Sequence, residues 1–184
     1  MIGYPEFILI TSYMVVTFNI IALKYRRSSG FSFKSRLSKL FLVGLHFIIV
    51  ITNVALYFWL IFQDINAVND VFRVTGLLVF AIGIFIITWA IYSLRKAVFV
   101  PGKKLIISGP FAIVRHPMYL GGITGAFGLS LFAGSLLGLV YSFVLALVLS
   151  HISGAEEKEL RIRFGDDYIE YMKKVPKILP LRKK

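Results

Sequence analysis

Cysteine is absent from the 184 residues, so neither a disulfide nor a thiolate metal site can be in play. Histidine is nearly as scarce. His46, His116 and His151 stand far apart with no ligand spacing such as HExxH, and no metal is expected. Charge is thin at 16% of residues, and acidic residues number only nine against 21 Lys and Arg. In their place 58% of residues are hydrophobic and mean hydropathy is +0.80, well outside the range of a soluble domain. The expected fold class is an all-α integral membrane protein, one domain over 1–184, because this length leaves no room for a second soluble domain.

A net charge of +12 could suggest nucleic acid, but its distribution argues otherwise. Twenty of the 21 basic residues fall in three blocks, 24–39, 95–115 and 158–184, between apolar runs or after the last one. That is the positive-inside signature. It predicts no nucleic-acid partner and a cytoplasmic face that meets anionic headgroups, each nearby cation contributing on the order of 1 kcal/mol.

The apolar runs set the expected path. Residues 7–23 form a first, retained span, because the nearly uncharged N-terminus lacks the basic start of a secretory signal. Residues 40–62 form a second, with His46, Thr52 and Asn53 bonding across helices, and 71–94 a third, in which Gly76 and Gly83 allow close helix approach. Met118 to Ser150 must cross and return between two basic blocks, so it is expected to be a tight hairpin of two short spans turning near Ala133, Gly134 and Ser135. Its GxxxG pairs, Gly121 with Gly125 and Gly134 with Gly138, are expected to pack within the hairpin. Residues 155–173 carry Leu160, Phe164, Tyr168 and Tyr171 near helical spacing, giving an amphipathic cytoplasmic helix bent at Gly165. The sum is five spans, three in 1–96 and a hairpin in 97–184, with the N-terminus outside and the C-terminus inside.

Two polar clusters interrupt this pattern. The first reads GPFAIVRHPMY from Gly109 to Tyr119, where Pro117 pushes His116 out of helical angles at a membrane surface. The second holds Glu156, Glu157, Leu160, Phe164, Gly165, Tyr168, Tyr171, Val175 and Pro176. Both lie at the feet of one hairpin, on one membrane face, so cationic and anionic groups can line one pocket there. Taken alone, the residues also allow a plainer reading: Arg115 and one glutamate tie the hairpin down, and the tyrosines are interface aromatics.

The ordered set RHPMY, apolar hairpin, EExxLxxxFGxxYxxY and VP resembles the isoprenylcysteine carboxyl methyltransferase family of membrane-embedded enzymes, over roughly residues 103–180. The resemblance implies S-adenosylmethionine as methyl donor and a lipidic or lipid-tailed acceptor. Carried over by position, it implies cofactor contacts from Lys103, Lys104, Leu105, Ile106, Phe111, His116, Pro117, Met118, Tyr119, Glu156 and Glu157, with a structural role for Glu157 left open beside it. The residue types suit that ligand. Arg and His match its carboxylate, Glu its ammonium or a ribose hydroxyl, and aromatics its adenine and sulfonium.

Three positions depart from the family. Lys103 stands where His is frequent and Phe111 where Tyr is usual, both compatible with contact through backbone or ring face. Ile152 stands where members that methylate a carboxylate carry Arg, and it cannot orient a substrate carboxylate. Arg115 and His151 are the candidate catalytic groups, His151, beside Ile152, either partly replacing that Arg or acting as a base for an amine or thiol nucleophile. Two alternatives stay open: a phospholipid amine methyltransferase, and a non-catalytic lipid-binding scaffold.

Overall fold

The computed structural model describes residues 68–98 and 105–181, with three isolated positions, Ala55, Phe58 and Trp59. The chain divides between Gln63 and Asp64, and residues 68–98 and 105–181 belong to the second part. The expectations for 7–23 and 40–62, with His46, Thr52 and Asn53, lie outside the described residues, as do Lys103 and Lys104.

The described residues are helical and contain no strand. Helix α1 runs Asp70–Val98, a short 3-10 turn Gly109–Ala112, α2 Pro117–Ala133, α3 Leu136–Phe164 and α4 Asp166–Lys174. Asp70–Leu94 and Leu136–Phe164 are each long and apolar enough to cross a membrane, and α2 is a shorter apolar helix of 17 residues. Large apolar side chains stand exposed along both long helices, among them Phe72, Leu78, Phe85, Val140, Phe143 and Leu147. Such a surface is unfavourable in water and suits lipid. This is a helical membrane protein.

Glycine decides how α1 and α2 meet. A Cβ at Gly76 would lie 2.3 Å from the Phe132 nitrogen, one at Gly83 2.5 Å from the Gly125 nitrogen, and one at Gly121 2.7 Å from the Gly83 oxygen. The two helices touch backbone to backbone, as small residues allow in membranes. Gly76 and Gly83 act as expected, but Gly121 and Gly125 do not pack within the hairpin. They face α1, where Gly121 lies against Gly83 and Ile87, and Gly125 against Gly83 and Phe80.

The hairpin turn falls at the expected place. Gly134 closes α2 in the left-handed region, φ 64°, and the Ser135 amide bonds back to the Ser130 carbonyl. Ser135 then caps α3 by accepting from the Gly138 amide at 2.9 Å. Fully buried Ser130 and Ser142 meet at 3.1 Å between hydroxyls, with Gly138 beside them, so the turn end of the hairpin is held by small polar residues.

The second arm is longer than expected. Helix α3 does not stop near Ser150 but runs 29 residues to Phe164, so Glu156 and Glu157 sit inside it rather than at a helix start. Polar residues at 150–154 end the apolar run without ending the helix, because none removes a backbone donor and Ser153 merely bonds back to the Ser150 carbonyl. The break comes at Gly165, whose φ 57°, ψ −132° is a conformation essentially confined to glycine. The amphipathic segment reduces to the nine residues of α4, with Asp166 and Asp167 at its positive end and Lys173 and Lys174 at its negative end.

Candidate active site

The first cluster is shaped by its glycine and prolines. Gly109, φ 63°, turns the chain against α1, where a Cβ would come within 2.8 Å of the Ser93 hydroxyl. Pro110 opens the 3-10 turn and Pro117 opens α2, both buried. Between them His116 takes φ −122°, ψ 64°, the non-helical geometry expected before proline. Its ring is thereby swung across to α3.

Two adjacent glutamates receive it. His116 Nε2 lies 3.3 Å from Glu157 Oε1, and Nδ1 lies 3.6 Å from Glu156 Oε2, so one imidazole bridges both carboxylates. Tyr119 stacks on that ring, centroids 5.5 Å apart and planes within 5°, and its hydroxyl donates to Glu156. Arg115 completes the set from the other side, with Nε 2.8 Å and Nη2 2.7 Å from Glu157 Oε1.

The glutamates differ sharply in access. The Glu157 side chain is 8% exposed and is paired with a guanidinium that is 9% exposed, whereas Glu156 is 40% exposed. Buried charges persist where they are paired and hydrogen-bonded, as Glu157 is. Glu156 is held by Tyr119 and His116 but stays open on one side. Of the pair, it is the one a ligand can reach.

The tail closes the site from below. Arg115 Nη1 donates to the carbonyls of Met172, at 3.1 Å, and Val175, at the end of α4. The backbone amides of Arg115 and His116 bond the carbonyls of Pro176 and Lys177 at 2.9 and 3.0 Å. The Tyr171 hydroxyl donates to the Phe111 carbonyl at 2.6 Å, and Lys177 Nζ to the Ser150 carbonyl at 2.6 Å. Tyr168 is 1% exposed, and its hydroxyl is the buried side-chain polar atom without a hydrogen-bond partner among the described residues. Burial, then the Glu157 carboxylate, pushes its ionisation up to about 12. Burial, then Tyr168, moves Tyr171 upward too.

Of the sequence candidates, the structure brings together Arg115, His116, Tyr119, Glu156 and Glu157. Pro117 is buried behind them, Met118 is 40% exposed, and Phe111 is half-buried with its carbonyl engaged by the tail. Leu105 and Ile106 are half-buried just before the loop. His151 is exposed on α3, about 140° around the helix from Glu156 and about 120° from Glu157, and so does not join the cluster. An open cleft of about 480 Å³, lined by Arg161, Ile169, Met172 and Lys173, shares no side chain with it.

Tyr171, Val175 and Pro176 stood in the second sequence cluster without an individual role, whereas Lys177 and the carbonyls of Met172, Val175 and Pro176 were not singled out. The two tyrosines before Val175 and Pro176 were a visible signal. Carbonyls carry none.

The profile of the family described as phospholipid methyltransferase matches residues 71–167, just over half of the chain, from α1 to the start of α4. The protein-S-isoprenylcysteine O-methyltransferase of Schizosaccharomyces pombe is 40% identical over 78 residues, 42% of this chain and 33% of that protein. The Delta(14)-sterol reductase TM7SF2 of Mus musculus is 37% identical over 82 residues, 43% of this chain and 20% of that one. The cobalt-zinc-cadmium resistance protein CzcN of Cupriavidus metallidurans is 30% identical over 88 residues, 46% and 40% respectively. The chain thus spans two fifths or less of the curated relatives it matches, and their names do not share one reaction. No solved structure matches it. With the profile running through the motif loop, the hairpin and both glutamates, the chain belongs to the phospholipid methyltransferase family.

Proposed function

We propose that the chain is a membrane-embedded methyltransferase that takes S-adenosylmethionine at the feet of the α2–α3 hairpin and methylates a lipidic or lipid-tailed acceptor. One observation carries it. Within the segment the family profile matches, a carboxylate 40% exposed is oriented by a tyrosine and a histidine beside a closed Arg115–Glu157 pair. A site with one open, oriented anion fits a ligand that carries an ammonium and ribose hydroxyls.

When bound, S-adenosylmethionine supplies an electrophilic methyl group on sulfur. Glu156 would hold its ammonium or a ribose hydroxyl, with Tyr119 fixing that carboxylate. The His116 and Tyr119 rings offer aromatic surface, Leu105, Ile106 and Phe111 supply the adjoining segment, and Lys103 and Lys104 are proposed contacts on the sequence resemblance alone. The contribution of these residues to a direct displacement is alignment of nucleophile and methyl, with water excluded by the buried loop and tail.

The reading extends to topology: one domain of five spans, N-terminus outside, with the site and C-terminus on the cytoplasmic side and its basic face against anionic headgroups. The three basic blocks support that orientation. For the acceptor, a prenylated cysteine-like carboxylate is one option. Ile152 lies four residues before Glu156, on the same face of α3, and puts an apolar side chain where a carboxylate acceptor would want a cation. That favours the second reading, a phospholipid amine acceptor. His151, exposed and turned away from the cluster, takes no step in this reaction.

The test is calorimetric titration of the detergent-purified protein with S-adenosylmethionine and S-adenosylhomocysteine, wild type against Glu156→Ala. Binding that is lost in the variant supports the donor site and leaves the acceptor to a lipid screen. Folded wild type that binds neither compound sinks the reading and leaves a non-catalytic lipid-binding scaffold.

A further inference from the structure

Arg115 is the most completely engaged side chain in the site. Its Nε and Nη2 converge on Glu157, and its Nη1 reaches two carbonyls at the end of α4. It is 9% exposed. A guanidinium used in this way has little left to offer a ligand, since its donors lie in one plane and most already have partners inside the protein.

Its partners show what it does hold. Residues 171–178 form a strap across the motif loop, fastened at three places. At one end the Tyr171 hydroxyl takes the Phe111 carbonyl at 2.6 Å. In the middle Arg115 binds the carbonyls of Met172 and Val175. At the other end the amides of Arg115 and His116 bond the carbonyls of Pro176 and Lys177, and Lys177 Nζ crosses to the Ser150 carbonyl on α3. The strap therefore grips the residue whose ring bridges both glutamates.

We infer that Arg115 is a positioning residue: by clasping the 171–178 strap and Glu157 to the motif loop it sets the His116 ring against Glu156, and it does not itself contact the bound nucleoside. The clasp is read from the chain's own geometry. Only its effect on a nucleoside rests on the function proposed above.

The experiment compares wild type with Arg115→Met, Arg115→Lys and Tyr171→Phe in detergent micelles, using two probes and one readout without a ligand. The probes are S-adenosylhomocysteine, which carries the amino-acid carboxylate, and its decarboxylated analogue, which keeps the ammonium and the nucleoside but lacks that carboxylate. The ligand-free readout is the rate of trypsin cutting after Lys174 and Lys177, mapped by mass spectrometry. The clasp predicts that Arg115→Met weakens both nucleosides by the same factor, at least about tenfold, and speeds cutting at least about tenfold. Arg115→Lys keeps a cation for Glu157 but cannot also span both carbonyls, so it falls between.

Tyr171→Phe is the decisive variant because it opens the strap while leaving the guanidinium in place. It should weaken both nucleosides and speed cutting, more mildly than Arg115→Met. Loss confined to S-adenosylhomocysteine in Arg115→Met, with cutting unchanged, would make Arg115 a carboxylate ligand and overturn the inference. Unchanged binding and cutting in Tyr171→Phe overturns it too, including where Arg115→Met does not fold. If folded wild type binds neither nucleoside, the proposed function fails separately. Cutting then decides alone: faster in the variants keeps the clasp, unchanged removes it.

Discussion

Replacing Gly128 by Ala would place a methyl where the seam between α1 and α2 has no room. The new Cβ would lie 2.3 Å from the Phe80 nitrogen and 2.8 Å from the Gly76 oxygen. Both are backbone atoms, so no rotamer can make way, and the helices must part by on the order of 1 Å to restore ordinary contact. Overpacking of this kind costs about 1–3 kcal/mol, while the better helix propensity of Ala returns about 0.8–1.0 kcal/mol. In the middle of that range the steric effect wins by about 1 kcal/mol. Six residues earlier on the same helix, a Cβ at Gly122 meets no heavy atom of the described residues within 4 Å. Gly122→Ala keeps the propensity gain alone and should stabilise by up to about 1 kcal/mol. Thermal unfolding in one detergent, followed by circular dichroism, converts these values to a fall of about 2–4 °C for Gly128→Ala and a rise of up to about 4 °C for Gly122→Ala. Shifts of the same sign, or an unmoved Gly128→Ala, would refute the backbone-contact seam.

The adjacent glutamates should separate in the same assay: Glu157→Gln strands the buried Arg115 guanidinium and costs about 3–5 kcal/mol, whereas Glu156→Gln stays within about 1 kcal/mol and loses nucleoside binding. Gly165→Ala should destabilise by about 1–3 kcal/mol through backbone strain alone, since no atom of the described residues crowds that position; a neutral result in the melt would count against the glycine-only break. Tyr168 ionises near 12 when folded and about 10 when unfolded, so its contribution is intact below about pH 10 and is lost as pH rises towards 12. Ultraviolet difference absorbance should show Tyr168 and Tyr171 ionising only as the tail opens, and early titration of all tyrosines would contradict their burial.

The legible parts of this protein were those that a residue type announces. Pro117 marked both the start of α2 and the displaced His116, Gly134 the turn of the hairpin, and Gly165 the break before α4. The partners of Arg115 were half legible. An arginine near two glutamates across a hairpin suggested a pair, but which glutamate would be buried depends on the rotation of α3, and that rotation followed from a helix end misplaced by fourteen residues, from Ser150 to Phe164. Hydropathy reports where lipid contact stops, and a helix continues past that point until something breaks it. The choice of α1 as the partner of Gly121 and Gly125 was hidden for a related reason. Small residues show that a helix can come close, not which helix does.

The continuity of α3 also bears on which acceptor the site would take. In one unbroken helix Glu156 and Glu157 are fixed about 100° apart, so they cannot exchange roles by local rearrangement. Glu157 turns to Arg115 and the strap, and Glu156 turns to Tyr119 on α2. Positions one turn before Glu156 therefore share its open side, and Ile152 is among them. A cation introduced there meets Glu156 directly at i, i+4, whereas one introduced at Ser153 meets the buried pair and destabilises the clasp. On the proposed function, acceptor choice and structural integrity would thus lie on separate faces of one helix. Ile152→Arg should accordingly leave the melting temperature within a few degrees while shifting the preferred acceptor towards carboxylates, and a large loss of stability would place Ile152 in the packed face instead.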